Sequence, residues 1–515
     1  MGILAAYLRD EGHEVSLCLL ERGAVDNPKK LLQDFPTYPV IIAKPNFKDF
    51  NELLPLLRGM KATGATKRTF LCGPFASMNA SEMMQDNPWL DGIIYGYPEE
   101  TAADILASLD EQSARDTSIS GGIWRDASGV HDRGKRLTTV SMDELPFSAR
   151  DIEREEDVAY VNIEASRGCL FNCSFCHVPI FHGQNEGPRR LVRNPQSVAD
   201  EIEQLKTLGK TLFIFNDPMF WTGPTDTARV KALCEELIRR KLDAHFYVYL
   251  RCNPFPPQDL LDIMVEAGLV RVFLGVENAS TDSLVMFKKM ITPSMAQRAW
   301  DALQNAGVNV HLGFIVFEPY ASLNDIEMNV TYLGSIGKLC RIGVLIEPPR
   351  VVPGSGMREL LARDGMLLES SYDTLLYAYN WRDEDTRRLF SATRQFFMQE
   401  VPESYGIEYH CVSGKLLQTL VNRTAPGVPI DTCPFDESYD RTNQLIAEIL
   451  GEGLRLARTG ASQDEIFAAM RQHANDLRKH AGYLGAVWGA FVDEVRRKCG
   501  SRPIREIFTG KEGIS

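Results

Sequence analysis

Residues 163–181 read IEASRGCLFNCSFCHVPIF. Cys169, Cys173 and Cys176 fall within eight residues, directly after an apolar strand pattern, so one loop can bring all three thiols together. This is metal-site spacing. Thiolates suit zinc and iron–sulfur groups alike, and structural zinc needs a fourth ligand, which His177 or His182 could supply. The alternative of three unligated core thiols fits poorly with a short loop that also carries Arg167, Gly168 and Asn172.

Outward from this loop, residues 156–355 alternate strand and helix patterns. AYVNIEAS, TLFIFND, AHFYVYLR, VRVFLGVE, NVHLGFIVFE and IGVLIEP read as six apolar strands. Helix patterns such as VADEIEQLKTLG and AQRAWDALQNAG lie between them, several ending in a glycine C-cap. Six βα units predict a partial (β/α)6 TIM-type barrel with its chemistry at the carboxyl ends of the strands. Upstream, EVSLCLLE, YPVIIAKP, RTFLCGPFAS and DGIIYGYPEE alternate with helices and predict an α/β, Rossmann-like doubly wound parallel sheet. Its ligand edge would be the loops starting at Lys44, Cys72 and Gly96. The chain opens on a helix where such a sheet would start with a strand, so the first strand is missing from the pattern. Residues 111–155 are turn-rich, predicting a hairpin and a linker that ends in MDELPFSARD.

Beyond about residue 360 charged helices take over, with Leu445, Ile446, Ile449 and Leu450 on one stripe and Leu484, Val487, Phe491 and Val495 on another. Ser462 and Glu465 fit a capping box. The expected organisation is a sheet domain with linker over 1–150, a barrel over 151–357 and a helical C-terminal domain over 358–515 that caps the substrate site. Each is expected to have its own core.

The 515 residues are 44% hydrophobic and 24% charged, the composition of a globular protein. A net charge of −13 with no long basic run argues against nucleic acid and anionic membrane as partners. No apolar run is long enough to span a membrane, and the amino terminus does not read as a signal peptide, so a cytoplasmic location with reduced thiols is expected.

The CxxxCxxC arrangement, with the aromatic Phe175 before its last cysteine, resembles the signature of radical S-adenosylmethionine (SAM) enzymes. The resemblance implies a [4Fe-4S] cluster held by Cys169, Cys173 and Cys176, its fourth iron open to SAM. Other strand ends extend the likeness. FNDPMF, with Asn216 and Asp217, stands where the family contacts the amino group of SAM. Arg251 could pair with its carboxylate. GVENAS resembles the fourth-strand motif, making Glu277 a candidate for the ribose or amine, with Asn278 and Ser280 beside it. HLGFIVFEP and PPRVVPGSGM resemble the fifth- and sixth-strand motifs. Glu318, Glu347 and Met290 depart from the pattern.

Residues 1–150 resemble the cobalamin-binding-type domain that precedes many radical SAM barrels, through GILAAYLRDEGHEV, CGPFAS, GYPEET and MDELPFSARD. The resemblance implies cobalamin near Lys44, Cys72, Gly73, Pro74, Gly96 and Tyr97, although no DxHxxG sequence is present to ligate cobalt. It implies reductive cleavage of SAM to a 5′-deoxyadenosyl radical and C-methylation of an unactivated carbon of a small-molecule, specialised-metabolite substrate, with a flavodoxin or ferredoxin-type reductant. The alternatives are a radical SAM enzyme that performs dehydration, cyclisation or rearrangement without functional cobalamin, and a zinc-stabilised non-enzymatic binding protein. Cys340, Cys411, Cys433 and Cys499 are too far apart in sequence to suggest an auxiliary cluster. Tyr320, Arg350 and His410 are polar residues near expected mouths. Neither the substrate nor the oligomeric state is legible.

Overall fold

The computed structural model describes residues 1–18, 36–46, 49–110, 119–151, 159–368 and 379–507. In the first sheet, β1 (Tyr38–Ala43), β2 (Thr66–Leu71) and β3 (Gly92–Ile94) run parallel in that order. The expected hairpin extends the sheet in antiparallel fashion as β4 (Gly122–Asp126) and β5 (Gly129–Asp132). Strand side chains alternate between two cores, as a pleat requires. Ile41, Leu71, Ile93 and Ile123 meet the helices Phe50–Ala62, Gly73–Met78 and Ala80–Asp86 on one side. Ile42, Phe70, Ile94 and Trp124 meet Gly2–Asp10 and Glu99–Asp110 on the other. Within the expected strand EVSLCLLE, residues 14–18 are not strand, and residues 19–21 lie outside the described residues.

The second sheet is wholly parallel, with β6 (Tyr160–Ile163), β7 (Leu212–Phe215), β8 (His245–Arg251), β9 (Leu269–Glu277) and β10 (Asn309–Phe314) in the order 10-9-8-7-6. The sixth expected strand is not one. IGVLIEP instead forms the short helix Ile342–Ile346, which buries Ile342, Leu345 and Ile346. These positions share one helical face, and a five-residue apolar run reads equally well with period 2 or 3.6. Register aligns Tyr247, Arg271 and Asn309, then Tyr249, Phe273 and His311, then Arg251, Gly275 and Gly313. One face of the sheet is therefore aromatic and polar, tied by Tyr247 Oη to His311 Nδ1 at 2.8 Å.

The C-terminal stripes are buried as expected at Leu445, Ile446, Ile449, Leu450, Leu484, Phe491 and Val495, and the Ser462–Glu465 capping box is present. These helices do not bury a core of their own. Leu416, Leu417, Ile446, Leu484 and Val495 join one contiguous core with Val248, Val272 and Leu274 of the second sheet. Only the start of this region reaches the carboxyl ends of the strands, where Leu361, Tyr379 and Trp381 pack with Phe175 and Phe287 and the Arg382 N–H donates to Pro319 O. His245, the first residue of β8, meets Glu506 at 2.6 Å, and Cys411 lines a cavity with Arg271 and Asn309 at the starts of β9 and β10. The later helices thus reach the amino ends of the strands, while Phe390 packs on Phe317, beyond the carboxyl end of β10, at 5.3 Å. Among the described residues, no helix is long and apolar enough to cross a membrane.

Candidate functional site

Asp217 anchors the start of the cysteine loop. Its carboxylate accepts the Ala165 N–H at 2.8 Å and the Ser166 hydroxyl, and it is fully buried. Burial pushes its carboxyl up to about 6 against those hydrogen bonds. Gly168, at φ 81°, turns the chain into the loop, where a Cβ would lie 2.3 Å from Arg189 O. The loop is then pinned at its centre. Ser174 donates its N–H to Phe287 O at 3.0 Å and its hydroxyl to Met286 O at 2.9 Å, while Met357 N–H donates to Ser174 O at 2.8 Å. Phe175 packs edge-on against Phe287 at 5.2 Å.

Cys169, Cys173 and Cys176 are half-buried free thiols on this loop. Among the described residues, no three His, Cys, Asp or Glu side chains stand close enough to hold a metal ion. The fit to an iron–sulfur group therefore rests on donor chemistry, with three thiols and no carboxylate on one anchored loop, and Arg251 Nη1 donating to Cys173 Sγ at 3.1 Å. Burial pushes the Cys176 thiol up to about 12 and Cys169 upward, so loading the loop with metal would release protons. The zinc alternative loses one fourth ligand, because both His182 nitrogens are engaged, with Tyr97 Oη at 3.2 Å and Pro188 O at 2.9 Å. His177 is held below its ordinary value by burial and by the nearby charges of Arg350 and Lys44, which oppose a further cation.

The other strand ends divide into two groups. Arg251 comes to the cysteine loop, and Glu277 pairs with Lys289, whose carbonyl oxygen Arg251 also reaches. Arg251 is 4% exposed, lies 4.1 Å over the Phe171 ring and donates to Lys289 O. Glu277, at φ 72°, takes Lys289 Nζ at 2.6 Å. Asn278 and Ser280 instead form a buried turn, with Asn278 bonded to Ile315 O and to Ser280 N–H. Asn216 is exposed beside the buried Asp217. Glu318, 1% exposed, accepts from the Ser283 hydroxyl at 3.1 Å and the Tyr320 N–H at 2.6 Å, and burial raises its carboxyl to about 7.

The ligand edge of the first sheet faces the helix Val178–His182, which follows the cysteine loop. The Lys44 side chain lies across Gly73, at φ 87°, where a Cβ would come within 2.8 Å of it. Pro74 is the second residue of the helix Gly73–Met78, and Cys72 is buried with its thiol raised to about 11 by desolvation. Gly96 and Tyr97 are contact residues. Asn185 Oδ1 accepts the Tyr97 N–H at 2.9 Å, and a Cβ on Gly96 would collide with that oxygen.

Sequence reasoning missed Lys289 as the partner of Glu277, Glu99 as the partner of Arg167, and Asn185. Their only signals were a charged residue in a turn and an acid opening a helix. Cys340 and Cys411, distant in sequence, meet in the cavity at the amino ends together with Arg271, Lys338, Arg341 and Tyr439.

With this geometry in hand, residues 163–333 match the radical SAM superfamily. The match takes in the cysteine loop and β7 to β10. A radical SAM domain implies a [4Fe-4S] cluster and SAM. The chain is 28% identical over 264 residues to the anaerobic magnesium-protoporphyrin IX monomethyl ester cyclase of Rubrivivax gelatinosus, covering 48% of this chain and 45% of the relative. It is 24% identical to the hopanoid C-3 methylase of Methylococcus capsulatus, covering 61% and 60%. The chain thus spans about half the length of the curated relatives it matches. In fold alone it is similar to OxsB, a cobalamin-dependent SAM radical enzyme solved with aqua-cobalamin and SAM, at TM-score 0.68 and 16% identity over 96% of this chain and 78% of that one. It is also similar to the radical SAM methyltransferase TsrM of Kitasatospora setae, at TM-score 0.56 and 16% identity over 89% and 96%.

Proposed function

We propose that this radical SAM enzyme is cobalamin-dependent and methylates an unactivated carbon of a small molecule. The observation that carries the proposal is the cysteine loop at the carboxyl end of β6, with Arg251 on Cys173 and the ligand edge of a second α/β sheet turned toward it. We read the second sheet as an open barrel, and residues 1–150 as the cobalamin-side domain. When bound, the cluster and SAM supply hydrogen-atom abstraction, and cobalamin supplies a transferable methyl group.

The chain's own residues do the rest. Cys169, Cys173 and Cys176 would hold the cluster, and Arg251 and the Glu277–Lys289 pair would orient SAM through its carboxylate, amine or ribose. Lys44, Cys72, Gly73 and Pro74 would line the cobalamin side, and a flavodoxin or ferredoxin-type reductant would deliver electrons. The hopanoid methylase and TsrM names support methyl transfer.

A second reading keeps the radical chemistry without functional cobalamin. It is favoured by Lys44 lying across Gly73, and by the engagement of Gly96 and Tyr97 with the segment after the cysteine loop. Anaerobic reconstitution separates the readings. About four irons per chain, release of 5′-deoxyadenosine from SAM, and retention of a corrinoid absorption band through gel filtration support the first. Iron and SAM cleavage without retained corrinoid support the second. Cys173→Ala should abolish SAM cleavage under reducing conditions, and cleavage that persists would refute the assignment of the loop.

A further inference from the structure

The amino ends of β9 and β10 meet the C-terminal helices around a small cavity rich in positive charge. Arg271 and Asn309 line it from the sheet, Lys338, Cys340 and Arg341 from the segment before the helix Ile342–Ile346, and Cys411 from the helix Ser404–Thr424. Among the described residues, no carboxylate lines it. Glu408, 3% exposed, stands just behind the wall, where it takes Arg341 Nε at 2.8 Å and accepts the Gly343 N–H at 2.7 Å with its other oxygen. The Lys338 ammonium has no carboxylate within ion-pair distance among the described residues, and it lies 5.4 Å over the Trp300 ring. Arg271, 3% exposed, adds a second guanidinium 5.3 Å over the Tyr247 ring.

Such a cluster could relieve itself by losing a proton, but its groups are poorly suited to that. Arginine stays protonated in proteins. Desolvation lowers the Lys338 ammonium to about 8, against the pull of the Cys340 sulfur, so at neutral pH it is still mostly charged. A charge held out of water without a counter-charge is strongly destabilising. The cavity therefore favours an anion from solution. It measures about 10 Å³, space for one occupant near the size of water. Sulfate, phosphate and carboxylates are too large for it, and a monatomic anion is not.

We propose that this cavity binds a monatomic anion, chloride, which joins the second sheet to the C-terminal helices through Lys338, Arg341 and Arg271. These side chains come together only through tertiary structure, so the anion binds the folded chain in preference to the unfolded one and stabilises it by mass action. The site lies at the opposite end of the strands from the cysteine loop, and it does not depend on what that loop holds.

The test is thermal unfolding of the full chain in sodium gluconate, with chloride added at constant ionic strength. The melting temperature should rise and level off, by about 1–3 °C at about ten times the half-saturating concentration. Bromide should act alike, and sulfate should give no saturable rise. Lys338→Met should abolish the response, whereas Lys231→Met, at an exposed lysine that faces Glu235 on its own helix, should keep it. Where Lys338→Met fails to fold, crystals of the unmodified chain soaked in bromide decide, with an anomalous peak expected between Lys338 and Arg341. A rise that does not saturate, that sulfate reproduces or that survives Lys338→Met overturns the proposal, as does a cavity without bromide. So does a response that appears only in Cys340→Ala, which would show that a Cys340 thiolate already supplies the negative charge.

Discussion

Arg167 and Glu99 meet at 2.8 Å between the two sheets, each side chain only 7% exposed. Glu99 opens the helix after β3, and Arg167 stands two residues before Cys169. The guanidinium also pairs with Glu164 at 2.9 Å and covers the Tyr97 ring at 4.5 Å. The cysteine loop is therefore fastened to the first sheet by a desolvated charge.

Removing that charge should loosen both sheets. Arg167→Met leaves Glu99 buried without its cation, at a cost of about 3–5 kcal/mol. Limited proteolysis should then cut faster around residues 133–151. The double variant with Glu99→Gln should recover part of the loss. Wild-type cleavage rates in the single variant would show that the pair does not fasten the sheets.

Gly275→Ala places a methyl group 2.7 Å from Glu277 Oε1 and Lys289 Nζ. The pair must separate, so SAM cleavage should fall at least tenfold while stability drops by about 1–3 kcal/mol. Gly64→Ala is the control, since a Cβ there meets nothing within 4 Å. Its positive φ still adds modest strain, but SAM cleavage should be retained.

Glu318 gives a pH dependence with a defined sign. Its carboxyl is raised from 4.5 to about 7 by burial. Between those values the folded chain binds more protons than the unfolded chain, so stability falls as pH rises through that window. The penalty is complete above the folded value and absent below the unfolded one. Glu318→Gln should remove it, and the variant's advantage should grow by up to about 3 kcal/mol across the window. Parallel pH profiles for the two proteins would show that Glu318 does not titrate as placed.

At the other end of the strands, Glu506→Ala removes the 2.6 Å bond to the buried His245 and the link to Arg502 at 3.2 Å. Thermal unfolding should show a loss of about 1–3 kcal/mol, with SAM affinity unchanged.

What the sequence disclosed follows from how local each feature is. Three cysteines in eight residues and the alternating strands are encoded within one or two turns of chain, and the strands expected around residues 38–43, 66–71, 160–163, 212–215, 245–251, 269–277 and 309–314 are present. IGVLI misled because five apolar residues carry no decisive period. Asp217 was expected at a ligand, yet its oxygens hold Ala165 and Ser166, roughly fifty residues earlier in the chain. Asn278 and Ser280 satisfy each other for a similar reason, since a polar residue at a strand end can be used by its own backbone. Lys289 escaped notice because its return to Glu277 depends on left-handed turns at Lys288 and Met290, which those residue types do not announce. Glu99 and Arg167 are separated by 68 positions, and no periodicity links them.

Seating the last helices on the amino ends of the strands gives this chain a polarity of tolerance. Substitutions near His245, Arg271 and Cys411 strike a floor shared by sheet and helices, where a change of one residue is felt by both. The opposite rim has a smaller buried cluster of its own, around Phe287, Met357, Leu361 and Tyr379. A saturation screen should therefore divide along the strand axis, with abundance lost to changes at the floor and selectivity altered by changes at the rim. New substrates could then be accommodated by remodelling the rim without renegotiating the fold.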